Sequence, residues 1–228
     1  MPAGTIAILE TTSDPLETAS QDGELPALDV RNTQEGLDGS SVQSGVAADT
    51  VADQITEVEV APNGKIITTA MDTGKTVATE WIADVTDGGF VVAESLSGSG
   101  DFAFPLNLIT AQTGARTQLV ELDLNAVVAG WDDDMLMDTW MVGTDEGDRA
   151  SINYHGAANR DDAPEANIGL GFELRWNGTI AKGVVYESGY VAIWEEWTAP
   201  VFAAFVEQEL LPHAEPVDGD DPGEQATL

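Results

Sequence analysis

From residue 55 to residue 198 the chain breaks into short apolar runs roughly every ten residues, each closed by turn-forming residues. This punctuation constrains the fold more than any other feature. ITEVEV and KIITTAM flank Pro62-Asn63-Gly64, a strong hairpin signal. KTVATEWIADV follows, then a TDGG turn at 86–89, FVVAESL, a GSG break at 98–100, DFAFPLNLI and TQLVELDLNAVV. In the last of these Val120, Leu122 and Leu124 alternate with Glu121 and Asp123, which predicts one strand. DTWMVGT, RASINYHG and NIGLGFELRW come next, and Ile168, Leu170, Phe172, Leu174 and Trp176 form an unbroken apolar face. Asn177-Gly178 turns the chain into TIAKGVVYES, and Ser188-Gly189 into YVAIWEEW. About eleven strands with such turns predict an all-β, jelly-roll-like sandwich or barrel.

One stretch invites a different reading. MDTGKTVATE (71–80) contains TGKT, but a phosphate-binding loop needs a glycine five residues before Gly74, and Thr69 stands there. Val77, Thr79, Trp81, Ala83 and Val85 share period two, so the segment reads as a strand. Asp72-Thr73-Gly74 then reads as a hairpin turn with Gly74 at positive φ. One helix is predicted, TAPVFAAFVEQELL. Thr198 stands at its N-cap and Pro200 in its first turn, and Val201, Phe202, Phe205, Val206 and Leu210 form a stripe.

Charge is the second constraint. The 228 residues carry 41 acids against 8 bases, a net charge of −33, and the only lysines are Lys65, Lys75 and Lys182. The acids are spread, ten in 1–54, 24 in 55–198 and seven in 199–228, so they do not form a local acidic tail. Such a chain repels itself until salt screens it, and at about 1 M the Debye length falls to roughly 3 Å. Spread acidity with scarce lysine matches adaptation to brine. The same field disfavours nucleic acid and anionic membrane surfaces. No apolar run is long enough to span a bilayer as a helix, and MPAGTIAILETT lacks the basic region of a secretory signal, so cytoplasmic synthesis is expected. With no cysteine, disulfides and thiolate metal sites are excluded.

Three units are expected: an extended arm over 1–54, a β-barrel body over 55–198 and a short helix with an acidic tail over 199–228. No aromatic residue lies in 1–54, which is rich in Gly, Ser, Thr, Asp and Ala. Within the arm, Ile6 and Ile8 of IAIL and Leu25 and Leu28 of LPALDV are candidates to add a strand to a neighbour's sheet. Phe202 and Phe205 on the helix are further interface candidates, against its own sheet or a neighbour.

Sites for chemistry are weak. WDDDMLMDTW places Asp132, Asp133, Asp134 and Asp138 together, and Asp132, Asp134 and Asp138 are the cation candidates, but the glycine and closing glutamate of a calcium loop are missing. A solvated turn accounts for them. Glu195 and Glu196 lie between Trp194 and Trp197; as consecutive strand residues they point to opposite faces and cannot act as a hydrolytic couple. His155 and His213, the two histidines, lack metal-ligand spacing. No G-x-S-x-G elbow occurs, and Asn177-Gly178-Thr179 is explained by its turn. No catalytic residue, cofactor or metal is assigned, and no enzyme is expected.

The arm TTSDPLETASQDGELPALDV, the strands from ITEVEV to YVAIWEEW and the closing helix together resemble a viral coat subunit. The profile is similar to the single vertical β-barrel (jelly-roll) major capsid proteins of tailless icosahedral viruses with an internal membrane that infect haloarchaea. No single motif carries the likeness. The resemblance implies a barrel upright on a shell, its extra strands forming a tower insertion. Its partners would be further copies and a second coat protein, above the viral membrane and without direct contact to nucleic acid. It would reside in the virion capsid, after synthesis and assembly in the host cytoplasm. A brine-adapted β-sandwich that binds carbohydrate or serves adhesion through exposed tryptophans is the alternative. A halophilic enzyme whose pocket joins Asp132–Asp138 to Glu195 or Glu196 is the third.

Overall fold

A computed structural model describes residues 1–60, 62, 65–94, 103–131, 134–145, 148–154 and 168–217. Their architecture is all-β, as the turn punctuation predicts. The strands are β1 (Ala3–Leu9), β2 (Ala19–Gln21), β3 (Glu24–Glu35), β4 (Ser41–Val60), β5 (Ile66–Asp84), β6 (Phe90–Ala93), β7 (Thr117–Leu122), β8 (Leu136–Asp145), β9 (Asp148–Tyr154), β10 (Gly169–Trp176), β11 (Thr179–Tyr186), β12 (Tyr190–Ile193) and β13 (Ala214–Pro216). Three helices accompany them: α1 (Ala103–Thr113), α2 (Leu124–Gly130) and α3 (Ala199–Phe205). All pairings are antiparallel, in the order β2-β3-β4-β5-β6-β1-β12-β11-β10-β8-β9, with β7 set against β1 and β13.

β1 sits at the middle of this order. Thr5 to Ile8 pair with Ala93 to Phe90 on one edge; on the other, Ala3 to Thr5 pair with β12 and Ala7 to Leu9 with β7. Its run IAIL is apolar throughout because both faces are covered. Ile6 enters one core cluster with Phe90, Val92, Phe172, Trp176 and Phe205, while Ala7 and Leu9 enter a second with Trp81, Val91, Leu106 and Ile109. The expected arm over 1–54 is therefore corrected in its placement. These residues supply β1, β2, β3 and most of β4, and Ile6 is fully buried within its own sheet. Low aromatic content misled because partner strands, not the segment itself, provide the large side chains. Leu28 is buried against the Trp81 cluster, and Leu25, beside the β2–β3 turn, stays exposed.

Three further expectations change. Asp72-Thr73-Gly74 is no turn: β5 runs straight through it, with Ala52 opposite Gly74 and Asp53 opposite Thr73. The hairpin expected between ITEVEV and KIITTAM is the one present, between Val60 and Ile66, and β4 and β5 pair without interruption from Gln43–Ala83 to there. DFAFPLNLI holds a helix rather than a strand. Pro105 sits in the first turn of α1, where its missing N–H costs nothing, and Phe104, Leu106 and Ile109 are buried. TQLVELDLNAVV divides at Asp123, whose carboxylate accepts hydrogen bonds from the backbone N–H groups of Asn125 and Ala126 at 3.1 and 3.0 Å. That N-cap starts α2, and Leu124 turns into the core as a helical residue. The GSG break lies outside the described residues.

Other elements match. On β5, Val77, Thr79, Trp81 and Ala83 are buried, and so is Val85 just beyond it. Asn177 (φ 45°) and Gly178 (φ 78°) make the two-residue β10–β11 turn. α3 begins after Thr198 and passes into a π-helical turn, Val206–Leu210, then a 3₁₀ turn, Leu211–His213. Phe202, Phe205, Val206 and Leu210 are fully buried on the sheet of the same chain. Phe205 stacks on Phe172 at 5.7 Å and meets Trp176 and Trp197 edge-on, both at 5.5 Å. Trp176 Nε1 donates to Glu209 Oε1 at 2.8 Å, tying β10 to the π-helical turn.

Phe205→Ala is expected to cost about 3–5 kcal/mol, because three aromatic rings lose their common neighbour. Asp123→Ala is expected to cost about 1 kcal/mol through the lost cap. Urea unfolding at fixed high salt measures both, and equal losses would contradict the assignment of core and cap.

Candidate functional site

Beyond Ala48, β4 has no further pairing with β3, and β5 pairs with β6 only from Trp81 to Asp84. Between those limits the two strands continue as a ribbon with no third strand among the described residues. Lys65 to Thr76 would span roughly 35 Å at the usual strand rise. Every residue from Lys65 to Met71 is exposed, including Ile66 (63%), Ile67 (44%) and Met71 (45%). An isolated two-stranded ribbon is marginal in water. Its two edges differ in sequence. Asp49, Asp53, Glu57 and Glu59 lie on the β4 side with no base, whereas 65–79 on the β5 side holds Lys65, Lys75 and one acid, Asp72.

A second surface lies on the outer face of β8, β10, β11 and β12. Gly171 leaves no room for a side chain, since a Cβ there would strike the indole of Trp140. Trp140 therefore lies over the glycine and stacks on Trp194, with centroids 5.7 Å apart and planes 23° apart. Trp194 follows β12 and is 42% exposed. Next to the rings Lys182 Nζ donates to Glu173 Oε2 at 2.9 Å. That bond, with the charges of Glu173, Asp138 and Glu195, raises the Lys182 pKa. Tyr186 and Tyr190 meet edge-on at 6.0 Å on the same side. Trp140 was legible only as a strand residue, and the glycine opposite it is the signal that places its ring.

Carboxylates gather at a third place, around the β5–β6 turn. Asp84 is buried, and its Oδ1 accepts from Thr86 N, Thr86 Oγ1 and Asp87 N, each at 3.0 Å. Glu207 on the π-helical turn has its pKa raised by burial, then by Asp38, Asp84 and Asp87. Glu94, beyond β6, is raised by burial and then by Glu80. Asp38 moves the other way, lowered by its hydrogen bond from the Ser40 backbone N–H.

Of the acids singled out in the sequence, Asp138 and Glu195 both lie close enough to Lys182 to act on its charge. Asp134 is exposed in a turn, Asp138 is on β8, and Asp132, Asp133 and His155 lie outside the described residues. Among the described residues, no group of three or more His, Asp or Glu side chains could hold a metal ion. Glu195 and Glu196 are not strand residues, because β12 ends at Ile193. Trp197 faces the core against Trp176 at 5.4 Å, while Trp194 faces outward. His213 accepts a bond at its backbone oxygen from Asp123 N. A groove of about 410 Å³ between 13–19 and Gln112–Thr113 contains Asp14 and Glu17 as its only titratable side chains. No helix among the described residues is long and apolar enough to cross a membrane. The chain matches no family model, no curated protein and no solved structure.

Glu94 and Glu207 keep their protons to higher pH in the folded protein than in the unfolded chain. The fold thus binds more protons in that interval and loses stability as pH rises through it. At fixed high salt the melting temperature is expected to climb as pH falls from 7 toward the ordinary glutamate value of 4.5. A Glu94→Gln/Glu207→Gln double variant should show a flatter profile. Asp38 opposes this only below its ordinary 3.8.

Proposed function

We propose that the chain is a structural coat subunit, the capsid subunit of a virus of hypersaline hosts. The observation that carries this reading is the β4–β5 ribbon, which exposes Ile66, Ile67 and Met71 on a polypeptide of charge −33. Large exposed aliphatics on an unsupported ribbon mark a contact with another chain. Lacking a grouped set of catalytic side chains among its described residues, the body acts by packing and tiling. Its partners are other copies and a second coat protein, above a membrane, in the virion capsid after assembly in the host cytoplasm. The projecting ribbon takes the role expected of an N-terminal arm, since 1–54 is engaged in its own sheet. Acid-covered subunits approach one another only when screened, so assembly follows ionic strength.

A second reading has its own observation. The exposed Trp194 ring, backed by Trp140 and flanked by Lys182, Glu173 and Glu195, offers a stacking face with polar groups beside it, suited to a neutral sugar.

Native mass is the decisive measurement for the first reading. A large assembly in about 3 M NaCl that dissociates on dialysis to dilute buffer is expected. A monomer in both solutions would sink it. For the second, retention of the protein on neutral glycans should weaken roughly tenfold in a Trp194→Ala variant. Equal retention of both proteins, or of neither, removes it.

A further inference from the structure

We infer that the free edge of β5 pairs with the same edge of a second copy, forming an antiparallel, two-fold symmetric β5–β5 contact centred on Met71. This deepens the coat-subunit reading and rests on it. Three observations lead here. No strand among the described residues pairs with β5 between Ile66 and Thr79 other than β4, so among them its second edge carries no ladder. That edge is the less acidic of the two: 65–79 holds Asp72 with Lys65 and Lys75, against four acids and no base in 49–60. Finally, Ile66, Ile67 and Met71 are exposed along it.

Charge selects both the partner and the edge. A second copy joined along β4 would bring Asp49, Asp53, Glu57 and Glu59 beside their own duplicates. Joined along β5, the strands meet with Met71 opposite Met71, Ile67 opposite Lys75, Ile66 opposite Thr76 and Thr69 opposite Thr73. Residues i and j then pair wherever their positions are symmetric about 71, and the segment from Lys65 to Val77 is used in full. No like charges stand directly opposite in this register, and each Asp72 faces Ala70. The two Asp72 positions become diagonal neighbours, about 7–8 Å apart, a repulsion that high salt screens. On the face shared by odd-numbered residues, the two Met71 side chains meet at the centre, and each Ile67 packs against the aliphatic stem of Lys75 from the other copy. A two-fold contact is closed, so it yields pairs of subunits rather than an open filament.

The absence of cysteine from the chain makes the test clean. Paired Cα atoms across an antiparallel ladder lie about 4.5 or 5.5 Å apart, within the range a disulfide bridges. Met71→Cys, oxidised at high salt, is therefore expected to give a covalent dimer that a thiol reductant reverses. Ile66→Cys places its two sulfurs at opposite ends of the ladder and should remain uncrosslinked. Mixing Ile67→Cys with Lys75→Cys should give the mixed dimer in preference to either self-dimer. Equal crosslinking of Met71→Cys and Ile66→Cys overturns the register and the specific contact. A large native particle with no Met71→Cys dimer overturns the β5 contact and leaves the coat-subunit reading standing. A wild-type chain that stays monomeric in brine removes both.

Discussion

Everything in the sheet depends on one short strand. β1 carries the ladder from β6 to β12, and it alone joins the β2–β6 meander to the β12–β11–β10–β8–β9 series along the strand order. Those halves lie far apart in sequence, so the pairing of Ile6 with Val92 and of Gly4 with Val191 closes long loops. Loop closure is an entropic cost that grows slowly with length. It is offset here by burial on both faces: Ile6 and Ile8 pack toward α3, Ala7 and Leu9 toward α1. A strand with one solvated face could not carry two cores. The apolar run IAIL, interrupted by no charge, follows from that position.

Because β1 is covered on both sides, the acids are left to the periphery, and most of the exceptions are instructive. Asp84 is buried but satisfied at one oxygen by three bonds from the turn that it organises. Glu94 and Glu207 are only partly withdrawn from water, and each shares its neighbourhood with further carboxylates. Ion pairs contribute little to balance this charge. Arg31 with Asp29, at 3.1 Å, and Arg116 with Glu10, at 3.9 Å, are about half exposed, where such pairs are worth at most about 1 kcal/mol. With so little internal pairing at these sites, dissolved salt is expected to supply the screening that a polyanion of this charge needs.

Strand alternation was legible where one face of a strand meets the core, as in Val77 to Val85 and Leu170 to Trp176. It failed where a helix begins with the same spacing. Val120, Leu122 and Leu124 keep period two across the β7–α2 boundary, and only the capping carboxylate of Asp123 marks the change. Pro105 likewise signals a first helical turn that alternating phenylalanines conceal. The role of 1–54 was hidden for a different reason: a segment without aromatics can be core when its neighbours supply them, and pairing between distant strands leaves no local trace. Of the candidate surface, Trp194 was visible in the sequence. Its partner Trp140 was fixed by Gly171, a contact across two strands, and the ribbon by the failure of Asp72-Thr73-Gly74 to turn.

That failure has a physical logic. A turn at Gly74 would have ended the hairpin near the body and left no projecting segment. Instead Gly74 pairs opposite Ala52, and the strands run on to Val60 and Ile66. Gly, Thr and Ala in 68–76 keep β5 lightly dressed along its outer half, while β4 carries an acid at Asp49, Asp53, Glu57 and Glu59. Edge strands that must stay single are guarded by charge, and β4 is guarded in this way. β5 is guarded less, with lysines at 65 and 75 bracketing Ile66, Ile67 and Met71. In a chain of charge −33, the segment 65–79, with two of the three lysines and one acid, is the less negative of the two ribbon strands. On the proposed reading, association directed there is set by the distribution of charge along two adjacent strands, and salt that screens the body also brings that edge within reach of another.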